Sequence, residues 1–316
     1  MRGHEEAESF LHGKLKTSNA LGVMKTFHHL PHPLLRPYIA RIWGWESLPG
    51  ELIALPTLLP GTGAELYLHT GQPFMAGGSD SARRGELFCL RRRCIALGEA
   101  RNIGFIAIRF RIGMLARFTD LPAPELLDGR LAVDALWGGA GARLLQRLAE
   151  TGEQGRRLQL VEAFLLERLR DRSPDLLIEQ ALNLLYRNGA SLTIERLAEL
   201  SGLGRRQLEK RWLRATGVSP SEMRGLCRFH HTVRALMLNS GADPTDTALA
   251  NGYYDQAHFS HDFRSRTGHP PLAYLQAARK RTHFYNTPDS ATAMLLTPQH
   301  QRSPYVCING RTRGCS

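Results

Sequence analysis

The sequence predicts an α+β protein: a mixed β-rich and helical N-terminal domain over residues 25–173, then an all-α domain over residues 174–281 with two helix-turn-helix motifs joined by a linker helix. Three observations predict it. Short apolar runs broken by Pro and Gly precede residue 113, helical spacing comes after it, and residues 191–275 repeat themselves. With 316 residues, 42% of them hydrophobic and 22% charged, the chain has enough apolar side chains for two cores, so a disordered or fibrous protein is excluded.

The first 24 residues are polar and poor in aromatics, end at Met24, and read as a disordered leader. Strands are expected at Tyr38–Trp45, Leu52–Leu59, Ala64–Thr70 and Gly104–Ile112. In the last of these, Ile106, Ile108, Phe110 and Ile112 share one face, while Arg109 and Arg111 point the other way, as in a half-buried strand. After Gly113 the period lengthens. Leu158, Val161, Leu165 and Leu169 form a helical stripe whose expected role is packing within its own domain, a second subunit being the alternative. Residues 282–316 hold five Thr, three Pro and two Cys without helical period, and read as a flexible tail.

Charge is unevenly shared. Residues 1–175 hold 23 basic and 19 acidic groups (+4), and residues 176–316 hold 18 and 10 (+8), which sum to the net charge of +12. A polyanion is therefore the expected partner of the second half. No apolar run approaches the roughly 20 residues that span a bilayer, and Glu5, Glu6 and Glu8 stand where a signal peptide would be apolar. A cytoplasmic protein with no membrane partner is expected. The five cysteines (Cys89, Cys94, Cys227, Cys307, Cys315) form no C-x-x-C pair, so neither a disulfide framework nor a four-thiolate zinc site is expected.

The repeat has a period of 50 to 51 residues. Ala198 and Gly202 recur as Ala248 and Gly252, Leu208 and Trp212 as Phe259 and Phe263, and Thr216-Gly217-x-x-Pro220 as Thr267-Gly268-x-x-Pro271. Each copy places a small residue four before a Gly, then a polar stretch, then two bulky apolar residues four apart. The small residue lets two helices cross closely, the Gly permits the reversal, and the i, i+4 pair anchors the second helix by its inner face. The outer faces then carry Arg205, Arg206, Glu209, Lys210 and Leu213 in the first copy, and Gln256, Ala257, Ser260, His261 and Arg264 in the second, with Asp255 as N-cap. Arg and Gln match guanine and adenine edges in the major groove, and Lys and Arg reach phosphates, so double-stranded DNA is the expected partner.

With these motifs in place, residues 175–278 resemble the AraC/XylS family of bacterial transcription regulators. The resemblance rests on Gly252-Tyr253-Tyr254-Asp255-Gln256-Ala257-His258-Phe259-Ser260-His261-Asp262-Phe263 with Thr267-Gly268-x-x-Pro271, and on Leu197-Ala198 through Thr216-Gly217-Val218-Ser219-Pro220. It implies a linker helix from about Pro220 to Asn239, docked through Leu236 and Leu238, and two recognition helices entering successive major-groove segments about one DNA turn apart. Gly204 stands where the family usually has a capping Ser, Lys210 and His261 where Arg is common, and Thr247 where an aliphatic residue is usual. Pro33-Leu34-Leu35-Arg36-Pro37-Tyr38-Ile39 with Trp43, Leu59-Pro60-Gly61 with Glu65-Leu66, Arg109-Phe110, and Leu136-Trp137-Gly138 are similar to a domain found ahead of such modules. That position implies sensing of a small-molecule effector or homodimerisation, with RNA polymerase as a further partner.

Other constellations carry weaker signals. His28, His29 and His32 have no nearby carboxylate or thiolate, and no metal or cofactor is expected. His258 and His261, three apart on one helix, are read as packing and DNA-facing groups, and Cys89 and Cys94 as strand cysteines. Arg91-Arg92-Arg93 reads as a solvated edge. No G-x-S-x-G, phosphate-binding Gly loop or H-E-x-x-H occurs, so an enzyme is not expected. Two alternatives remain open: a non-specific architectural nucleic-acid binder, and an alkylated-DNA repair enzyme with an AraC-like module. The second lacks its cysteine cluster and Pro-Cys-His motif here.

Overall fold

The computed structural model describes residues 16–18, 24–78, 81–170, 175–188, 192–239 and 241–279. Its strands are β1 (Lys16–Ser18), β2 (Met24–His29), β3 (Ile39–Ser47), β4 (Leu52–Ile53), β5 (Glu65–His69), β6 (Gly85–Phe88), β7 (Ala100–Arg101), β8 (Gly104–Phe110) and β9 (Arg130–Ala132). Seven make one antiparallel sheet in the order β1, β2, β3, β8, β5, β6, β9, while β4 pairs with β7. Lys16–Ser18 thus forms an edge strand within the segment read as a leader, and Met24 opens β2. The segment 282–316, with Cys307 and Cys315, lies outside the described residues.

β8 is central and differs from its sequence reading. Ile106, Ile108 and Phe110 enter one core with Ile42, Leu66 and Leu68, but Phe105 and Ala107 enter a second core on the opposite face with Trp43, Trp45 and Tyr67. The strand is buried on both faces because its alternate positions are also apolar. Its outlying Arg109 is neutralised by Glu65, its direct cross-strand partner on β5, at 2.8 Å. Ile112 lies beyond the strand and packs among the helices. Of Leu52–Leu59, only Leu52–Ile53 pairs as a strand; Pro56, which has no N–H, interrupts it, and Leu58 makes an isolated bridge to Ile95.

The first core is covered by α2 (Val133–Glu150) and α3 (Gln154–Arg168), which come after the one-turn α1 (Ala123–Leu126). Leu158, Val161 and Leu165 of the anticipated stripe join Leu144 and Leu148 in that core, so the stripe packs within its own part of the chain. His29 has a carboxylate partner that sequence spacing did not show: Glu162 of α3, 133 positions away in the chain, lies 3.2 Å from its Nε2.

His69, buried at the end of β5 with its ring 4.5 Å edge-on from Phe74, is held neutral by burial, which lowers its pKa to about 4. A lowered value means that the unfolded chain binds the proton first. Stability from this group is complete above about pH 6.5 and is lost as pH falls towards 4. Unfolding free energies from urea titrations at pH 7 and pH 5 should therefore fall less steeply in His69→Leu, by up to about 1 kcal/mol per pH unit. Identical slopes in both proteins would rule this out.

The helical part comprises α4 (Leu176–Asn188), α5 (Ile194–Leu200), α6 (Arg205–Thr216), α7 (Pro220–Leu238), α8 (Pro244–Ala250), α9 (Gln256–Thr267) and α10 (Pro271–Arg279). α4, α5, α6 and the start of α7 enclose one core, and the rest of α7 with α8, α9 and α10 enclose another. Leu236 is fully buried in the second of these, but Leu238, expected to dock beside it, is 42% exposed, because two residues along a helix is a rotation to another face. No helix among the described residues is long and apolar enough to cross a membrane.

Candidate nucleic-acid interface

The repeat in the sequence is a repeat in the structure. Thr193 caps α5 by accepting from the Arg196 N–H, and Asp243, 50 positions on, caps α8 by accepting from the Thr245 and Asp246 N–H groups. Gly202 and Gly252 both take positive φ, +62° and +89°, which reverses the chain between the two helices of each unit. Gly204 occupies the N-cap of α6 without a side-chain bond, whereas Asp255 caps α9 by accepting from the His258 N–H at 2.7 Å. The helices end alike. Thr216 Oγ1 lies 3.0 Å from the Trp212 carbonyl and accepts from the Val218 N–H, and Thr267 Oγ1 does the same with Phe263 and His269, at 2.8 and 3.2 Å.

Burial matches the predicted division of faces. Ala198, Leu208 and Trp212 are buried in the first unit, and Ala248, Phe259 and Phe263 in the second. Outward lie Arg205, Arg206, Lys210 and Leu213 on α6, and Gln256, Ala257, His261 and Arg264 on α9; Glu209 and Ser260 are half-buried. These positions are not equivalent. Arg205 is held by Glu195 at 2.6 Å and by Glu209 at 3.0 Å, so both it and Glu209 are partly occupied in structural pairing, while Arg206 stands outside that network. Lys210 and Leu213 share a shallow cleft with Asp120, Pro122 and Pro124 of the β-rich part.

Several residues that fix this surface gave no sequence signal. Arg228 of α7 stacks 4.4 Å from the Tyr253 ring centroid and donates to the Gly252 carbonyl at 3.3 Å, tying the linker helix to the second turn. The Tyr253 hydroxyl donates to Asp262, which also pairs with Arg266 at 2.8 Å. His258 packs its ring against Tyr253, as the packing reading held, and faces the Arg228 guanidinium at 3.3 Å. Tyr254, 88% exposed, stands beside the N-terminus of α9.

The β-rich part touches both units. α1 packs on α6, and the Cys94 N–H donates to the Arg266 carbonyl at the end of α9 at 2.9 Å, with the thiol directed to Thr267. Cys94 is therefore a docking residue outside any strand, not the strand cysteine of the sequence reading. The Arg91–Arg93 run is likewise reassigned: Arg91 is buried against Glu65 at 2.6 Å, and Arg92 bridges Asp128 and Glu222 of α7 at 2.5 and 3.7 Å.

Residues 197–277 match a family model described as a helix-turn-helix domain. Among solved structures, the chain is similar to ToxT from Vibrio cholerae at 1.65 Å resolution, with 13% identity, 74% of this chain and 97% of that chain covered, and a TM-score of 0.44. It is also similar to ToxT with a bound unsaturated fatty acid, with 14% identity, coverage of 74% and 94%, and a TM-score of 0.43. No curated protein matches it. With paired caps, paired turn glycines and paired inner anchors beneath two outward faces, the matched segment is a helix-turn-helix domain built of two units.

Proposed function

We propose that the chain is a sequence-specific regulator in which α6 and α9 read successive major-groove segments on one face of DNA. In this reading residues 174–281 bind DNA and residues 25–173 regulate that binding. The observation that carries it is the pair of outward faces at the two ends of one 19-residue helix, α7. At 1.5 Å per residue α7 spans about 28 Å, close to the roughly 34 Å between groove segments one turn apart. Arg206 and Gln256 are the base readers, near the starts of their helices and outside the ion pairs of this surface. Lys210, His261 and Arg264 meet phosphates or flanking bases, Ser260 donates from the same face, and Ala257 offers an apolar contact to a thymine methyl. Arg205 and Glu209 position each other and contribute through the orientation of α6.

Enrichment of binding sites from random duplex DNA by the full-length chain, at about 0.15 M salt to suppress loose electrostatic binding, should return two short blocks about ten base pairs apart. On that site, Arg206→Ala and Gln256→Ala should each cost about 1–3 kcal/mol and relax preference at one base position. With about six phosphates neutralised, log K should fall against log salt with a slope near −5. Tight, salt-sensitive binding with no motif would overturn the reading in favour of an architectural binder. Equal losses on every sequence would reassign Arg206 and Gln256 to phosphates.

A further inference from the structure

The two helix-turn-helix units differ by one residue. Leu203 and Tyr253 follow the turn glycines, and their N–H groups donate to equivalent carbonyls, Ala198 at 3.0 Å and Ala248 at 3.1 Å. In the first unit the next residue, Gly204, is already the N-cap of α6. In the second unit Tyr254 intervenes before the N-cap Asp255. Tyr254 is thus the insertion that lengthens the repeat from 50 to 51 positions, and the second recognition helix is preceded by a side chain that the first one lacks.

That side chain has no packing role in the fold. An apolar residue just before an N-cap often packs against the fourth residue of its helix. Here Tyr253 takes that place, with its ring 5.1 Å from Phe259, and Tyr254 is left 88% exposed. Its backbone is nevertheless fixed on both sides. The Gly252 carbonyl accepts from Arg228, the Tyr254 N–H donates to His258 Nδ1 at 3.4 Å, and Asp255 accepts from the His258 N–H. An aromatic side chain held out on a pinned backbone offers a large contact area at low entropic cost, since only two side-chain torsions remain to be ordered.

The surface that continues from Tyr254 decides what it meets. The exposed residues of α9 are Gln256, Ala257, His258, His261, Arg264 and Ser265, which are basic or hydrogen-bonding groups with no large apolar side chain among them. An apolar protein partner finds no continuation there, whereas the edges of DNA bases do. Against DNA a tyrosine can pack its ring on the methyl group of thymine or donate its hydroxyl to a phosphate. The adjacent Asp255 carboxylate opposes a phosphate, which leaves the ring contact. We propose that Tyr254 is a specificity-determining residue of the second unit, its ring packed on a thymine methyl in the base pair next to the one read by Gln256. The proposal rests on the regulator reading, in which α9 lies in the major groove.

The test compares the sites that the full-length native chain, Tyr254→Phe and Tyr254→Ala select from random duplex DNA. The native chain should prefer thymine beside the position that Gln256→Ala relaxes. Tyr254→Phe should keep that preference, and Tyr254→Ala should accept any base there with the rest of both blocks unchanged. All three proteins should melt at the same temperature, because the side chain is almost wholly exposed. On the native site, replacing that thymine by deoxyuridine removes only the methyl group and should weaken the native chain about fourfold, the worth of one buried methyl, while leaving Tyr254→Ala unaffected. A native motif without that thymine, or a Tyr254→Ala motif that retains it, overturns the proposal and leaves the regulator reading standing. Equal losses in Tyr254→Phe and Tyr254→Ala on every sequence overturn it too, since they make the hydroxyl a phosphate contact. A native chain that selects no motif overturns the regulator reading and this proposal with it.

Discussion

Trp212→Ala is expected to lower the unfolding free energy by about 3–5 kcal/mol, measured as a shift in the urea midpoint with an unchanged slope. The indole is fully buried among Leu208, Ala198, Leu185 and Met223, so its removal opens a cavity that helices on all sides must collapse to fill. The effect belongs to shape and apolar area, not to hydrogen bonding, because the indole Nε1–H has no partner among the described residues. Trp212→Phe should therefore cost far less, within about 1.5 kcal/mol, since it keeps most of the ring and removes a buried donor that nothing accepts. Equal losses in the two variants would show that the indole N–H is satisfied in solution. Retained stability in Trp212→Ala would reverse the inner and outer faces assigned to α6.

Glu65→Gln is the second large effect. The carboxylate holds Arg91 at 2.6 Å and Arg109 at 2.8 Å, with both guanidiniums largely out of solvent. Neutralising it leaves buried charges uncompensated, which costs about 3–5 kcal/mol when one partner of a buried pair is removed. The loss should show in urea unfolding at pH 7. In the native protein the same interaction fades in acid: with the folded pKa at about 2, below the ordinary value of 4.5, the stabilisation is complete above pH 4.5 and disappears as pH falls towards 2. A Glu65→Gln protein as stable as its parent at pH 7 would mean that solvent or an anion screens the row of arginines.

The helical half was legible because its determinants are local. The i, i+4 pairs Leu208–Trp212 and Phe259–Phe263, the turn glycines Gly202 and Gly252, and the cap Asp255 each act within one or two turns of their own position, and duplication made them visible. The β-rich half hid its logic in register. Arg41, Glu65 and Arg109 are 24 and 44 positions apart in sequence and become neighbours only when β3, β8 and β5 align, so nothing local distinguished Arg109 from a solvent-facing residue. β6 went unread for a related reason: Glu86, in the middle of four buried residues, looks like a loop residue until Arg130 of β9 reaches it at 2.9 Å. The site residues were named by face alone, and which of them are tied down by Glu195 or set beside Pro122 depended on contacts that periodicity does not encode.

The 19 residues of α7 also set a phase. Each residue added to or removed from a helix turns the chain beyond it by about 100° and shifts it by about 1.5 Å. A single insertion in α7 would thus swing the second unit away from the direction in which the first one faces, however well each unit folds. An insertion of seven residues, about two turns, restores the facing and lengthens the span by roughly 10 Å, or about three base pairs. In the proposed regulator the linker therefore works as a ruler that measures angle more strictly than distance, and on that reading the operators open to this chain are restricted first by helical phase.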